Sequence, residues 1–154
     1  MTQSKLSLES RIRALIGTEF LVSEWIPITQ DRIDSFAKAT GDDQWIHTDP
    51  VRAKLESPYK TTVAHGYLTI SLLPSQTVAF FRGLGVARAI NYGLNRLRFP
   101  APVLVDSRVR FHFSMKSVER HGDGLMIILD VTVEADSQKR PVCSAETVSI
   151  LYPQ

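Results

Sequence analysis

Residues 39–50 read Ala39-Thr40-Gly41-Asp42-Asp43-Gln44-Trp45-Ile46-His47-Thr48-Asp49-Pro50. Asp42 and His47 stand five positions apart in a stretch whose glycine, paired aspartates and proline predict neither a regular helix nor a strand. An amphipathic helix is expected before it. After it, a turn at His65-Gly66 opens the most apolar long segment of the chain. An acid, an imidazole and a helix N-terminus are the components of an acid–base site.

The flanking residues explain how such a loop is held. Thr29 is an N-cap candidate, and Asp31 falls in the first turn, where the helix dipole favours a carboxylate. Ile33, Phe36 and Ala37 follow at i, i+3 and i+4 and make one apolar face. Gly41 ends that helix as a left-handed cap would, and so delivers Asp42 at its end. Trp45 and Ile46 are apolar residues in a polar loop, and are expected to pin it to the body. Asp49 reads as the N-cap of a short helix from Pro50 to about Leu55. Thr61 to Leu84, with Leu68, Leu72, Val78, Ala79, Phe80 and Phe81, predicts a core helix buried on most sides, kinked at Pro74.

Farther out, Ser7–Ile16 shows a short helical pattern, with Leu6, Ile12, Leu15 and Ile16 as apolar contacts and Gly17 as its stop. Thr18–Ile26 reads as a strand in which Phe20, Val22 and Ile26 share a parity. Beyond Gly85 the chain predicts strands. Ala89–Phe99 carries a bulge signal at Gly93. Val105–Lys116 alternates, with Val109, Phe111, Phe113 and Met115 on one face and Arg108, Arg110, His112 and Ser114 on the other. Leu125–Val133 has period two, and Val142–Tyr152 is the last strand. Short polar turns at residues 121–124 and 137–140 join them as an antiparallel meander. A helix buried on most sides needs a curved sheet around it. The fold class expected is therefore α+β: a hot-dog arrangement, an antiparallel sheet wrapped around a long central helix, in one domain spanning 1–154. So small a sheet leaves edges, which edge-to-edge pairing into a homodimer would cover.

Composition narrows the partners. The chain has 154 residues, 44% hydrophobic and 22% charged, with a net charge of +2, too small a charge to suggest nucleic acid. One cysteine, Cys143, excludes an intramolecular disulfide. It is expected reduced and half-buried in a strand, without a chemical role. No apolar run approaches the ~18 residues of a membrane span. Residues 1–17 lack the apolar core of a leader, so the cytoplasm is the expected location.

Phe36-Ala37, Thr40-Gly41-Asp42, Ile46-His47 and Asp49-Pro50, followed by Ala64-His65-Gly66, resemble the hydratase 2 motif of the MaoC-like dehydratases. That family includes the (R)-specific enoyl-CoA hydratases. Asn91 to Val103 resembles the strand after the helix in the NodN-like branch. The resemblance spans roughly residues 20 to 150. It implies Asp42 and His47 as the catalytic pair and Gly66 as a backbone oxyanion donor. It departs from the family where Gln44-Trp45 stand in place of the common Asn-Pro. A second departure is in the central helix, where Ser71, Pro74 and Ser75 occupy the region in which some members place a serine or threonine.

The chemistry fits. Hydration of an α,β-unsaturated thioester needs a base for water, a proton for the α-carbon and a donor for the enolate oxygen. Asp42 and His47 can hold one water between them. Gly66 at a helix start has an unpaired N–H and lets a thioester approach closely. His65 either orients the turn or contacts substrate. Trp45 and Tyr67, with Phe80 and Phe81, are candidates to line an acyl tunnel. Arg96, with Arg88 and Arg98, is a candidate for coenzyme A phosphates. No metal is expected, since His47 and His65 lack ligand spacing. No cofactor is expected beyond coenzyme A as part of the substrate. Three functions compete: hydration of trans-2-enoyl-CoA to (R)-3-hydroxyacyl-CoA or its reverse, a hydro-lyase activity; a hot-dog thioesterase; and a non-catalytic acyl-thioester-binding module. Residues 65–82 contain no acid, which counts against the thioesterase.

Overall fold

Ser7 caps the first helix, accepting from the Ser10 N–H, and the chain then alternates between short helices and a growing sheet. The computed structural model describes residues 7–154, so Leu6 lies outside it. The elements are α1 (Leu8–Arg13), β1 (Glu19–Val22), β2 (Ile26–Pro27), α2 (Gln30–Thr40), α3 (Trp45–Thr48), α4 (Pro50–Glu56), α5 (Gly66–Ser71), α6 (Leu73–Gly83), β3 (Val86–Arg98), β4 (Arg108–His121), β5 (Gly124–Ala135) and β6 (Cys143–Pro153). The strands form one antiparallel sheet in the order β1-β4-β5-β6-β3, with β2 also on β4.

The alternation in β4 and β5 decides which face is inside. Val109, Phe111, Phe113 and Met115 of β4 and Ile127, Leu129, Val131 and Val133 of β5 are all buried. They share one core with Leu68, Leu73 and Phe81 of α5 and α6. Burying each phenyl ring is worth about 1.5–3 kcal/mol. The opposite face carries ion pairs: Arg110 with Glu134, Arg108 with Asp136, and His112 between Glu19 and Glu134. Such exposed pairs contribute only ~0–1 kcal/mol each.

Several expected elements take a different form. The strand over Thr18–Ile26 is interrupted at Ser23. The Ser23 N–H donates to the Phe111 carbonyl, and its hydroxyl accepts from the Phe111 N–H, which replaces regular ladder pairing. A register shift between Glu19 and Leu21 also breaks the parity, and leaves Val22 exposed. The first helix stops at Arg13, three residues before the expected end, and Ile16 instead bridges Met115. The loop at 42–49 holds one turn of helix, α3, closed by the Asp49 N–H on the Trp45 carbonyl.

The central helix departs most. It begins at Gly66, where the His65-Gly66 turn was expected to open it, and the preceding residues of the apolar segment are held otherwise: Val63 bridges Leu104 and the Ala64 N–H bonds the Val103 carbonyl. It then breaks at Leu72, which ends α5 and starts α6, with Pro74 in the first turn of α6 where no backbone donor is missed. Only one face is covered: Leu68, Thr69, Leu73, Thr77 and Phe81 are buried, while Tyr67, Val78 and Ala79 are exposed. The strand expected at 105–116 starts at Arg108 because Asp106 turns with φ 62°. Residues 86–98 all belong to β3, with irregular register at Asn91/Gly93 as the glycine suggested. Cys143 is fully buried rather than half-buried, and burial pushes its thiol up to about 12.

Candidate active site

α2 sets the position of the acid. Thr29 caps its N-terminus by accepting from the Arg32 N–H, and Ile33 and Ala37 bury its apolar face. Gly41 closes it at φ 78° with its N–H on the Ala37 carbonyl. A side chain at that φ would be strained, so glycine is the residue that lets the chain turn out at Asp42. Asp42 is exposed, with Gln44 Nε2 3.5 Å from its carboxylate.

α3 sets the position of the base, and Gln30 fastens it from beneath. The Gln30 amide donates to the His47 carbonyl and to Asp34, each at 2.8 Å, and accepts from the buried Thr62 hydroxyl at 2.6 Å. The Val63 N–H donates to the Ile46 carbonyl. His47 Nδ1 lies 2.6 Å from the Val63 carbonyl. A carbonyl only accepts, so the proton sits on Nδ1, and Nε2 is left with a free lone pair. Burial holds the His47 imidazole below its ordinary value of 6.5. The Val63 carbonyl opposes this, His65 reinforces it, and Asp42 opposes it. The base is therefore neutral near pH 7 and ready to accept a proton.

His65 completes the group. It is 3% exposed, stacks on His47 at 3.8 Å and 26°, and approaches Phe36 at 5.0 Å. Its Nε2 lies 2.9 Å from the Asp42 carbonyl. One carboxylate oxygen of Asp42, one ring nitrogen of His47 and one of His65 all lie within 4.8 Å of one another. Two hydrogen bonds of about 2.8 Å through one water span such a gap. The same distances suit a metal ion, which the sequence spacing did not suggest. Stacked rings, however, direct their lone pairs along near-parallel planes instead of toward one centre, so the set fits a water better than an ion.

Gly66 follows as the first residue of α5, where an N–H has no intrahelical acceptor. The Phe99 ring is packed on it: a Cβ there would stand 2.7 Å from Cδ2 and Cε2. A cleft of about 220 Å³ opens beside it, lined by Tyr59, Ala64, Thr69, Phe99 and Val103 among others.

The structure thus brings together Asp42, His47 and His65, and Gly66 follows His65 in the chain at the start of α5. Tyr67 is 67% exposed and edge-on to Phe99 at 6.0 Å. Trp45 is half-buried under the Arg52 guanidinium at 4.4 Å. Arg96 lies elsewhere, paired opposite Glu146 on β6 and close enough to act on Lys116. Sequence reasoning missed Gln30 and Phe99. Gln30 reads as an ordinary first-turn residue, and its three partners at positions 34, 47 and 62 converge only in the fold. Phe99 stands just before Pro100, at the end of a strand, and nothing local marks it as a wall of the Gly66 cleft.

An antiparallel sheet packed on a central helix, with an acid and two imidazoles brought together where that helix begins, defines a hot-dog protein. Residues 11–137 match the MaoC like domain family, and the chain belongs to that family. It is 46% identical over 138 residues to the 3-hydroxyacyl-thioester dehydratase Z of Mycobacterium tuberculosis, covering 89% of this chain and 91% of that one. It is 42% identical over 141 residues to nodulation protein N of Rhizobium leguminosarum bv. viciae, covering 88% and 86%. The structure of the (R)-hydratase PhaJ1 from Pseudomonas aeruginosa superposes with a TM-score of 0.73 at 20% identity, covering 90% of this chain and 83% of that one.

Proposed function

We propose that this hydro-lyase reversibly hydrates trans-2-enoyl-CoA to (R)-3-hydroxyacyl-CoA, with Asp42 and His47 activating water and the Gly66 N–H receiving the enolate oxygen. One observation carries the reading: the Nδ1 proton of His47 is spent on the Val63 carbonyl, so Nε2 keeps the lone pair of a base, on a ring that has a nitrogen within 4.8 Å of an Asp42 carboxylate oxygen.

In the forward direction the water oxygen bonds to the β-carbon as its proton passes to Nε2 of His47. Asp42 orients that water by accepting a hydrogen bond from its second O–H, which stays on the oxygen as the product hydroxyl. The electron pair of the double bond moves toward the thioester oxygen, which the Gly66 N–H and the start of α5 stabilise. A proton then reaches the α-carbon from the Asp42/His47 pair, and both residues return to their starting state. Proton transfer by such groups contributes typically ~10²–10⁴-fold. The cleft beside Gly66 receives the thioester end of the substrate.

The working unit is a homodimer. β3 is thirteen residues long and pairs only with β6 among the described residues. Its exposed Ile90, Tyr92 and Leu94, and Val78 on the open face of α6, are apolar surface that a second copy would cover. Among the described residues no helix is long and apolar enough to cross a membrane, and the cytoplasm is the location proposed.

The test follows loss of enoyl-thioester absorbance, free thiol and product handedness together on short and medium trans-2-enoyl-CoA. The expected result is the (R)-3-hydroxy product without free thiol. Free thiol without hydration would replace the proposal with a thioesterase. Light scattering should return twice the chain mass of 17.3 kDa.

A further inference from the structure

The two nitrogens of His65 have different surroundings. Nε2 faces the Asp42 carbonyl at 2.9 Å and must carry the proton of that hydrogen bond. Nδ1 is buried and has no hydrogen-bond partner among the described residues. The ring is covered by His47 and Phe36 and is 3% exposed. A ring so enclosed is placed to hold its neighbours, not to meet a substrate.

Its neighbours are the two halves of the acid–base pair. His47 has two further anchors, its Nδ1 on Val63 and its carbonyl on Gln30. Asp42 has weaker ones. Its N–H meets the Thr40 hydroxyl at 3.4 Å and its carboxylate meets Gln44 at 3.5 Å, both at the long limit of a hydrogen bond. The 2.9 Å bond from His65 is the strong restraint on the main chain at Asp42. The same ring sets where the plane of His47 lies. One side chain therefore fixes the distance between acid and base.

We infer that His65 is a positioning residue of the hydration site, its Nε2–H tethering the main chain of Asp42 while its ring, laid flat on His47, sets the gap in which the water is held. This rests on the hydratase reading above. A displacement of about 1 Å in such a gap costs on the order of 10²-fold in rate, while the cleft beside Gly66, which His65 does not line, keeps its hold on the acyl thioester.

The experiment compares wild type with His65→Gln and His65→Leu in steady-state hydration, and records the imidazole ¹⁵N resonances of the full chain. Gln can place an amide N–H near the position of Nε2, whereas Leu keeps bulk without a donor. His65→Leu should lower kcat by about 10–10²-fold with KM within about twofold, and His65→Gln should recover most of that loss. The His65 resonances should place a ring proton on Nε2. Near-normal kcat in the Leu variant, a Gln variant no better than Leu, or an Nδ1–H tautomer would each overturn the inference. If the Leu variant does not fold, the Gln variant and the tautomer decide. A wild-type enzyme that hydrates no enoyl thioester would sink the hydratase reading itself, an outcome visible before any variant is compared.

Discussion

Replacing Gln30 by alanine removes the clamp beneath the site. Three hydrogen bonds go: to Asp34, to the His47 carbonyl and from the Thr62 hydroxyl. Each is worth about 1 kcal/mol net. Thr62 is 0% exposed, so its hydroxyl is left buried without this acceptor, which costs about 1–3 kcal/mol, a figure that includes its share of the lost bond. The total is about 3–5 kcal/mol. For a chain of this size that lowers Tm by roughly 6–20 °C. The His47 main chain also loosens, and kcat should fall by at least about tenfold. Thermal melts followed by circular dichroism, with hydration rates on the same samples, measure both. A Gln30→Ala variant melting within about 2 °C of wild type would refute the clamp.

Gly66→Ala sets a Cβ 2.7 Å from two Phe99 ring carbons; the overpacking should cost about 1–3 kcal/mol and move the N–H offered to the thioester, lowering kcat. Adding Phe99→Ala should return the lost stability, as read by Tm, if the ring is the obstacle. The acid limb of kcat/KM reports His47. Protonated His47 has no lone pair to accept the water's proton, and burial lowers its affinity for that proton, so activity should fall with decreasing pH at a midpoint below 6.5; a midpoint above 6.5 would contradict the assignment. Burial pushes the Cys143 thiol up to about 12, so at pH 8 only about 10⁻⁴ of it is thiolate. The native protein should resist a disulfide reagent and react once unfolded.

What the sequence showed and what it hid have physical causes. The period-two runs of β4 and β5 were legible because one face meets the core and the other meets water, so each residue declares its side. The ends of α2 were legible because Thr29 and Gly41 act locally through caps. Asp49 capping α4 by accepting from the Arg52 N–H was legible for the same reason. The central segment divides. Its helix start was legible from the His65-Gly66 turn, but the bonds of Val63 and Ala64 to Leu104 and Val103, forty residues on, were not, because no local pattern carries them. Its apolar circumference suggested burial all round, whereas one side faces the open β3 edge. Hydrophobicity reports what must leave water, not what covers it. The site divides likewise. Asp42, His47, His65 and Gly66 lie within short, recognisable motifs, while Gln30 and Phe99 join them only through the fold. Arg96 stands opposite Glu146 in a strand charge network, and no local pattern separates such an arginine from one that meets a phosphate.

The most direct measurement is single-turnover hydration by Asp42→Asn and His47→Gln, each checked for an unchanged melt and an unchanged oligomer. Each should turn over about 10²–10⁴-fold more slowly than wild type, and the double variant should be little worse than the slower single one, since the two residues act on one water. Near-normal hydration in both single variants would contradict the role of this pair.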